Sequence, residues 1–127
     1  MQEKHLYEYA VIRFVPRVER EEFLNIGVVL YCAKKRFLET AFTLNESRLR
    51  LLDTAFDIQE IEDNLRAFEK IANGGKEGGP IGILPAADRF RWLTATRSTI
   101  IQCSKVHPGF CEEPGKTLMK LHKKLVL

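Results

Sequence analysis

No apolar run in this chain approaches the roughly 20 residues that a bilayer crossing takes. The longest candidate, residues 23–33, is about half that length. The opening MQEKHLYEYA lacks an apolar core segment, so no secretory signal is expected. Cysteine is scarce: Cys32, Cys103 and Cys111 form an odd set with no paired C-x-x-C spacing. A disulfide framework is therefore not expected, and reduced thiols in a cytoplasm are. Motifs that would name a reaction are missing as well. Gly75-Lys76 is followed by Glu77 and preceded five positions earlier by Lys70, so it is no phosphate-binding Walker loop. There is no dinucleotide fingerprint, no G-x-S-x-G and no H-E-x-x-H. These absences weigh against an enzyme, and no cofactor is expected.

What is present fits one domain spanning residues 1–127, with 45% hydrophobic and 29% charged residues. The organising stretch is residues 9–33, where YAVIRFVP and FLNIGVVLYCA flank the charged connector RVEREE. Two β-branched runs on so short a link predict an antiparallel strand pair, since a parallel crossover needs a dozen residues or more. Both faces of the first strand are apolar except at Arg13, which must reach an edge or find a partner. Pro16 ends that strand, and Gly27 inside the second marks a bulge or a close backbone approach. Residues 36–44 alternate well enough for a third strand, which completes a meander.

Helices follow. Asn45 caps a short one bearing Leu49, Leu52 and Phe56, and Asp57 with Glu60 opens another whose Ile61, Leu65, Phe68 and Ala72 share a stripe. The segment GGKEGGPIG, residues 74–82, is expected to be a mobile connector or lid. Pro85 begins a helix over residues 85–98 with Phe90, Leu93 and Arg97 on one face. Residues 99–104 read as a fourth strand, His107-Pro108-Gly109 as a turn, and Pro114 as the start of a last helix. That helix turns Leu118, Leu121, Leu125 and Val126 inward. The predicted fold is α+β: an antiparallel sheet of a three-strand meander plus a later strand, covered on one face by helices.

The order of these segments, with YAVIRFVPRVEREEFLNIGVVLYC, GGPIG and RFRWLTATRSTIIQCSKVHPG, resembles a bacterial family of small proteins defined only as domain of unknown function 3037. The resemblance brings no activity and no catalytic residues. It implies a shared pathway, or a physical partnership, with a HipA-like kinase encoded alongside.

Three groups of residues are candidates for function. Arg13, Arg17, Arg20 and Asn25 near the first hairpin, with Arg97, Ser98 and Thr99 later, have the chemistry to bind phosphate or carboxylate. The simpler expectation is that Arg13 and Arg97 pair with Glu8, Glu22 or Glu39. His107 joins Arg13 and Arg97 in a weaker reading as a small hydrolase or nuclease. The charge is uneven, with eight Lys/Arg against three Asp/Glu over residues 83–127. Lys116, Lys120, Lys123 and Lys124 on the last helix, with Arg91 and Trp92, form a candidate nucleic-acid surface. Cys103, His107 and Cys111 have C-x3-H-x3-C spacing, yet a closed zinc site wants a fourth ligand that no spacing supplies, so no metal is expected. The leading expectation is a small non-enzymatic interaction module. Nucleic-acid binding stands second.

Overall fold

The computed structural model describes residues 3–97 and 99–127. Strand β1 (His5–Phe14) lies at the centre of an antiparallel sheet, with β2 (Leu24–Cys32) on one side and β3 (Phe37–Phe42) beyond it. The predicted hairpin forms in register, Tyr9 opposite Leu30 and Val11 opposite Val28. A short 3-10 turn, Val18–Arg20, carries the connector, and Glu21 closes it at φ 55°.

Gly27 does both things its position suggested. The register slips between Ile12 and Arg13, so Ile26 and Gly27 together face Ile12, and the extra residue lets Ile26 turn into the core. A Cβ at Gly27 would stand 2.8 Å from Phe42 Cβ and 2.9 Å from the Ala41 carbonyl oxygen. Only glycine lets β3 lie this close.

After β3 come α1 (Glu46–Leu52), α2 (Ile58–Asn73), the short turn α3 (Gly79–Gly82) and α4 (Ala86–Thr94). Asn45 and Asp57 cap as expected, accepting from the amides of Arg48 and Gln59. The stripe Ile61, Leu65, Phe68 and Ala72 is buried, joined by Ile71, and packs with Phe90 and Leu93 of α4 over Ala10, Ile12, Phe14 and Val29. Each of the larger apolar side chains among them, taken from water, contributes about 1.5–3 kcal/mol.

The glycine-rich segment is not a loose connector. It folds into a 3-10 turn, Lys76–Gly78, followed by α3, and is closed by a Gly75 amide to Gly82 carbonyl bond of 2.8 Å. Arg89 of α4 pins its base. The guanidinium donates to the carbonyls of Ile71, Ala72 and Leu84, satisfying the open C-terminal end of α2.

Two later segments depart from expectation in ways that shape the surface. Residues 107–109 are not a turn: β5 (His107–Cys111) pairs with the first half of β1, and β4 (Ile101–Cys103) pairs with the second half. The two form a broken edge strand, and Ser104 bridges the break. The Val11 amide donates to Ser104 Oγ at 2.8 Å, and the Ser104 amide returns a bond to the Val11 carbonyl. Odd-numbered residues of β1 thus turn their backbone groups to this edge. Their partners His107, Gly109 and Cys111 turn inward, which leaves the Pro108 nitrogen facing out, where its missing N–H breaks no ladder bond. The Tyr7 ring lies over Gly109, and a Cβ there would stand 2.5 Å from the outer end of that ring, so any larger residue would push the ring aside.

The second departure is the last helix, α5 (Pro114–Leu125). The helices do not all lie on one face. α1, α2 and α4 cover one, but α5 lies on the other, where Leu118 and Val126 meet Val28, Leu30 and Cys32. The alternation of β2 explains it, because Val28 and Leu30 project opposite to Val29 and need their own cover. Buried His122 bonds Thr43 across this interface at 2.9 Å between Nε2 and Oγ1.

Candidate functional site

The arginines that sit near one another in sequence part company in space. Arg13 stands on the α5 side of the sheet, directly beside Asn25 of β2 and Gln102 of β4 in the strand register. No carboxylate meets it among the described residues. Its guanidinium lies 4.0 Å over the Phe23 ring, a cation–π contact. Arg13 Nε and Asn25 Oδ1 are buried without a hydrogen-bond partner among the described residues. Asn25 Nδ2 instead donates to the Leu125 carbonyl at 3.2 Å, so this side chain holds the end of α5 against the sheet.

Arg17 and Arg20 lie elsewhere. Arg20 pairs with Glu22 at 2.6 Å on the surface, and both arginines border a shallow cleft of about 280 Å³ with Arg50 and Asp53. His107 opens β5 opposite Tyr9, with the rings 5.3 Å apart. Tyr9 is four residues from Arg13, about 13 Å along an extended strand. Arg13 and His107 therefore do not share a cleft, and the hydrolase constellation is not assembled.

Arg97 belongs to a different arrangement. The predicted helix over residues 85–98 ends early, at Thr94, because Ala95 turns extended. Arg97 is thus freed from the helix face. It folds back so that its guanidinium stacks 3.9 Å above the Trp92 ring and donates to the Trp92 carbonyl. Like Arg13, it takes an aromatic ring rather than Glu8, Glu22 or Glu39. Ser98 lies outside the described residues. Thr99 directs its hydroxyl to the Ile101 carbonyl and so serves the backbone.

Arg97 and Trp92 edge a cleft of about 230 Å³ between α2, α4 and β4. Its floor is apolar (Phe68, Ile71, Leu93, Ile101), and Asn64 and Gln102 add amides at the rim. Cys103 lies at its base with Sγ 3.5 Å from the Leu93 carbonyl oxygen. Burial pushes that thiol up to about 12, with Arg97 and Arg13 opposing the shift only in part. A thiol so held is no nucleophile near neutral pH. Cys111 is likewise pushed up, by burial and then by the neighbouring Cys32.

The C-x3-H-x3-C set is divided by the sheet. Cys103 pairs with Ile12 and faces α4, whereas His107 and Cys111 pair with Tyr9 and His5 and face the α5 side. Among the described residues no cluster of three or more His, Cys, Asp or Glu side chains could hold a metal ion. Of the basic residues, Arg91 pairs with Asp88 at 3.3 Å and Lys116 with Glu113 at 2.8 Å. Lys120, Lys123 and Lys124 point outward without an ion pair among the described residues.

Sequence reasoning missed Ser104, His122 and the cleft itself. His122 had a signal, since it lies four residues from Leu118 on the inward stripe. The cleft had none, because its walls come from three elements up to 40 residues apart in the chain.

The model of a family described as protein of unknown function (DUF3037) matches residues 9–126, and the chain belongs to that family. No curated protein and no solved structure matches. No described helix is long and apolar enough to cross a membrane.

Proposed function

We propose that this chain is a non-enzymatic interaction module whose ligand is another protein. One observation carries the reading. Leu6 and Phe110 are direct cross-strand partners at the end of the sheet away from α2 and α4, and they are 52% and 70% exposed. Single apolar residues at a surface are ordinary, but two large ones side by side on a rigid sheet are a contact patch. Val106, in the link before β5, is exposed as well, and the Phe110 side is flanked by charges of both signs, Lys4 and Lys116 with Glu112 and Glu113. The preferred partner surface is apolar at its centre with a mixed-charge rim. Pro108 blunts the free edge of β5, so the patch docks by side chains rather than by adding a strand.

The family resemblance points to a HipA-like kinase as that partner, in a bacterial cytoplasm. The test is size-exclusion chromatography and calorimetry of the chain with the kinase encoded alongside. A complex that L6E/F110E abolishes without lowering the melting temperature supports the reading. No complex at micromolar concentrations, or one indifferent to these substitutions, overturns it.

The exposed lysine face of α5 supports nucleic-acid binding as the second reading. Lys116, Lys120, Lys123 and Lys124 fall within two and a half turns on one side of a helix. A gel shift that weakens steeply between about 50 and 200 mM salt would favour it. No shift at low salt removes it.

A further inference from the structure

We propose that the cleft between α2, α4 and β4 is a binding site for a small free carboxylic acid with an aromatic or branched aliphatic body. The inference is independent of the protein-docking patch, which lies on another part of the surface.

Three features of the cleft converge on that chemistry. Its volume, about 230 Å³, falls below the 300–1,000 Å³ of sites that take drug-sized ligands, so the occupant is small. Its floor of Phe68, Ile71, Leu93 and Ile101 accepts hydrocarbon and offers no side-chain hydrogen bond. Among the described residues its rim carries one permanent charge. Arg97 has no carboxylate partner among the described residues, while one arm of its guanidinium is tied to the Trp92 carbonyl and its plane rests on the indole. Such a guanidinium is pre-oriented, so little side-chain freedom remains to be lost when an anion takes its other N–H groups. Asn64 and Gln102 each commit one amide N–H, to the carbonyls of Glu60 and Thr99, and Arg97 is the only cationic donor at this rim among the described residues.

The acid inserts its apolar body over Phe68 and Leu93 and leaves its carboxylate at the mouth, in a charge-assisted pair with Arg97. A polyphosphate or nucleotide would leave most of its charge unmatched against one arginine. Cys103 at the base stays a neutral thiol and serves as apolar lining.

Trp92 is the single tryptophan of the chain and is 40% exposed at the rim, so it reports on occupancy directly. The experiment titrates the whole protein with phenylacetate, following Trp92 emission and the indole N–H resonance. 2-Phenylethanol, with the same body and no charge, is the control. Expected is a saturable response to phenylacetate in the millimolar range or below, and a response to 2-phenylethanol weaker by about tenfold or more. R97Q should lose the acid by a similar factor and bring the two ligands to parity. A67F, which places a ring at the exposed wall of α2, should weaken both. No saturable response up to about 20 mM, or equal binding of acid and alcohol to the unaltered chain, overturns the proposal. An indole resonance that follows phenylacetate equally in R97Q also overturns it.

Discussion

Ser104 is the residue on which the broken edge strand turns, and its replacement by alanine makes a sharp test of that reading. Its hydroxyl accepts the Val11 amide at 2.8 Å in a buried setting and donates to the Lys105 carbonyl at 2.9 Å. S104A removes the only partner, among the described residues, of a buried N–H at the centre of β1 while keeping the backbone bond from residue 104 to the Val11 carbonyl. An orphaned buried donor costs about 1–3 kcal/mol. A chain of 127 residues unfolds with an entropy of roughly 2.1 cal/mol/K per residue, about 0.27 kcal/mol/K in all. The melting temperature should therefore fall by about 4–11 °C. Calorimetry measures the fall, and amide exchange should show Val11 losing protection before its neighbours Ala10 and Ile12, whose backbone groups face β2 on the other side. A drop under about 1 °C with Val11 still protected would mean that the hydroxyl carries no ladder bond.

Two further outcomes follow from the packing and the buried thiol. G27A should lower stability by about 1–3 kcal/mol, because the added methyl meets the Phe42 Cβ and a backbone carbonyl that cannot swing aside. G115A is its matched control. Gly115 lies in the first turn of α5 at a φ that alanine accepts, the new Cβ meets Phe37 at 3.9 Å, and the less flexible unfolded chain favours alanine by roughly 0.4–1 kcal/mol, so denaturant midpoints should move in opposite directions. Cys103 makes stability depend on alkaline pH. Its folded pKa is raised from 9.0 to about 12, so its contribution is whole below about pH 9 and is lost as pH rises toward 12. C103V should flatten the fall in chemical-denaturation stability across that window. An unchanged slope would show that the thiol ionises as easily in the native state as in the unfolded one.

Much of the architecture was readable from local chemistry, and the limits are physical. The hairpin of β1 and β2 follows from two apolar β-branched runs on a short polar link, and Gly27 announced its own close approach. Asn45 and Asp57 act within three residues of themselves, so their capping is visible in any window that contains them. The arginines were harder. A charge at Arg13 or Arg97 states a need for a partner but not which partner, and aromatic rings at Phe23 and Trp92 answered where carboxylates were expected. Arg97 also hung on a helix end: carried three residues further, the helix would have put it on the Phe90 face and closed the cleft.

The sequence by itself determined the alternating and helical stripes, the caps, and the membership in an α+β class with an antiparallel sheet, because each depends on residues within a few positions of one another. Tertiary structure alone decided that His107-Pro108-Gly109 is a strand, since a proline suits a ladder only when the pairing partner turns its nitrogen outward. It also decided that α5 takes the opposite face, since that depends on which side of β2 the earlier helices had left uncovered. Where the chain meets itself across 93 residues, as Ser104 meets Val11, the chemistry of either residue alone carries no trace of the other.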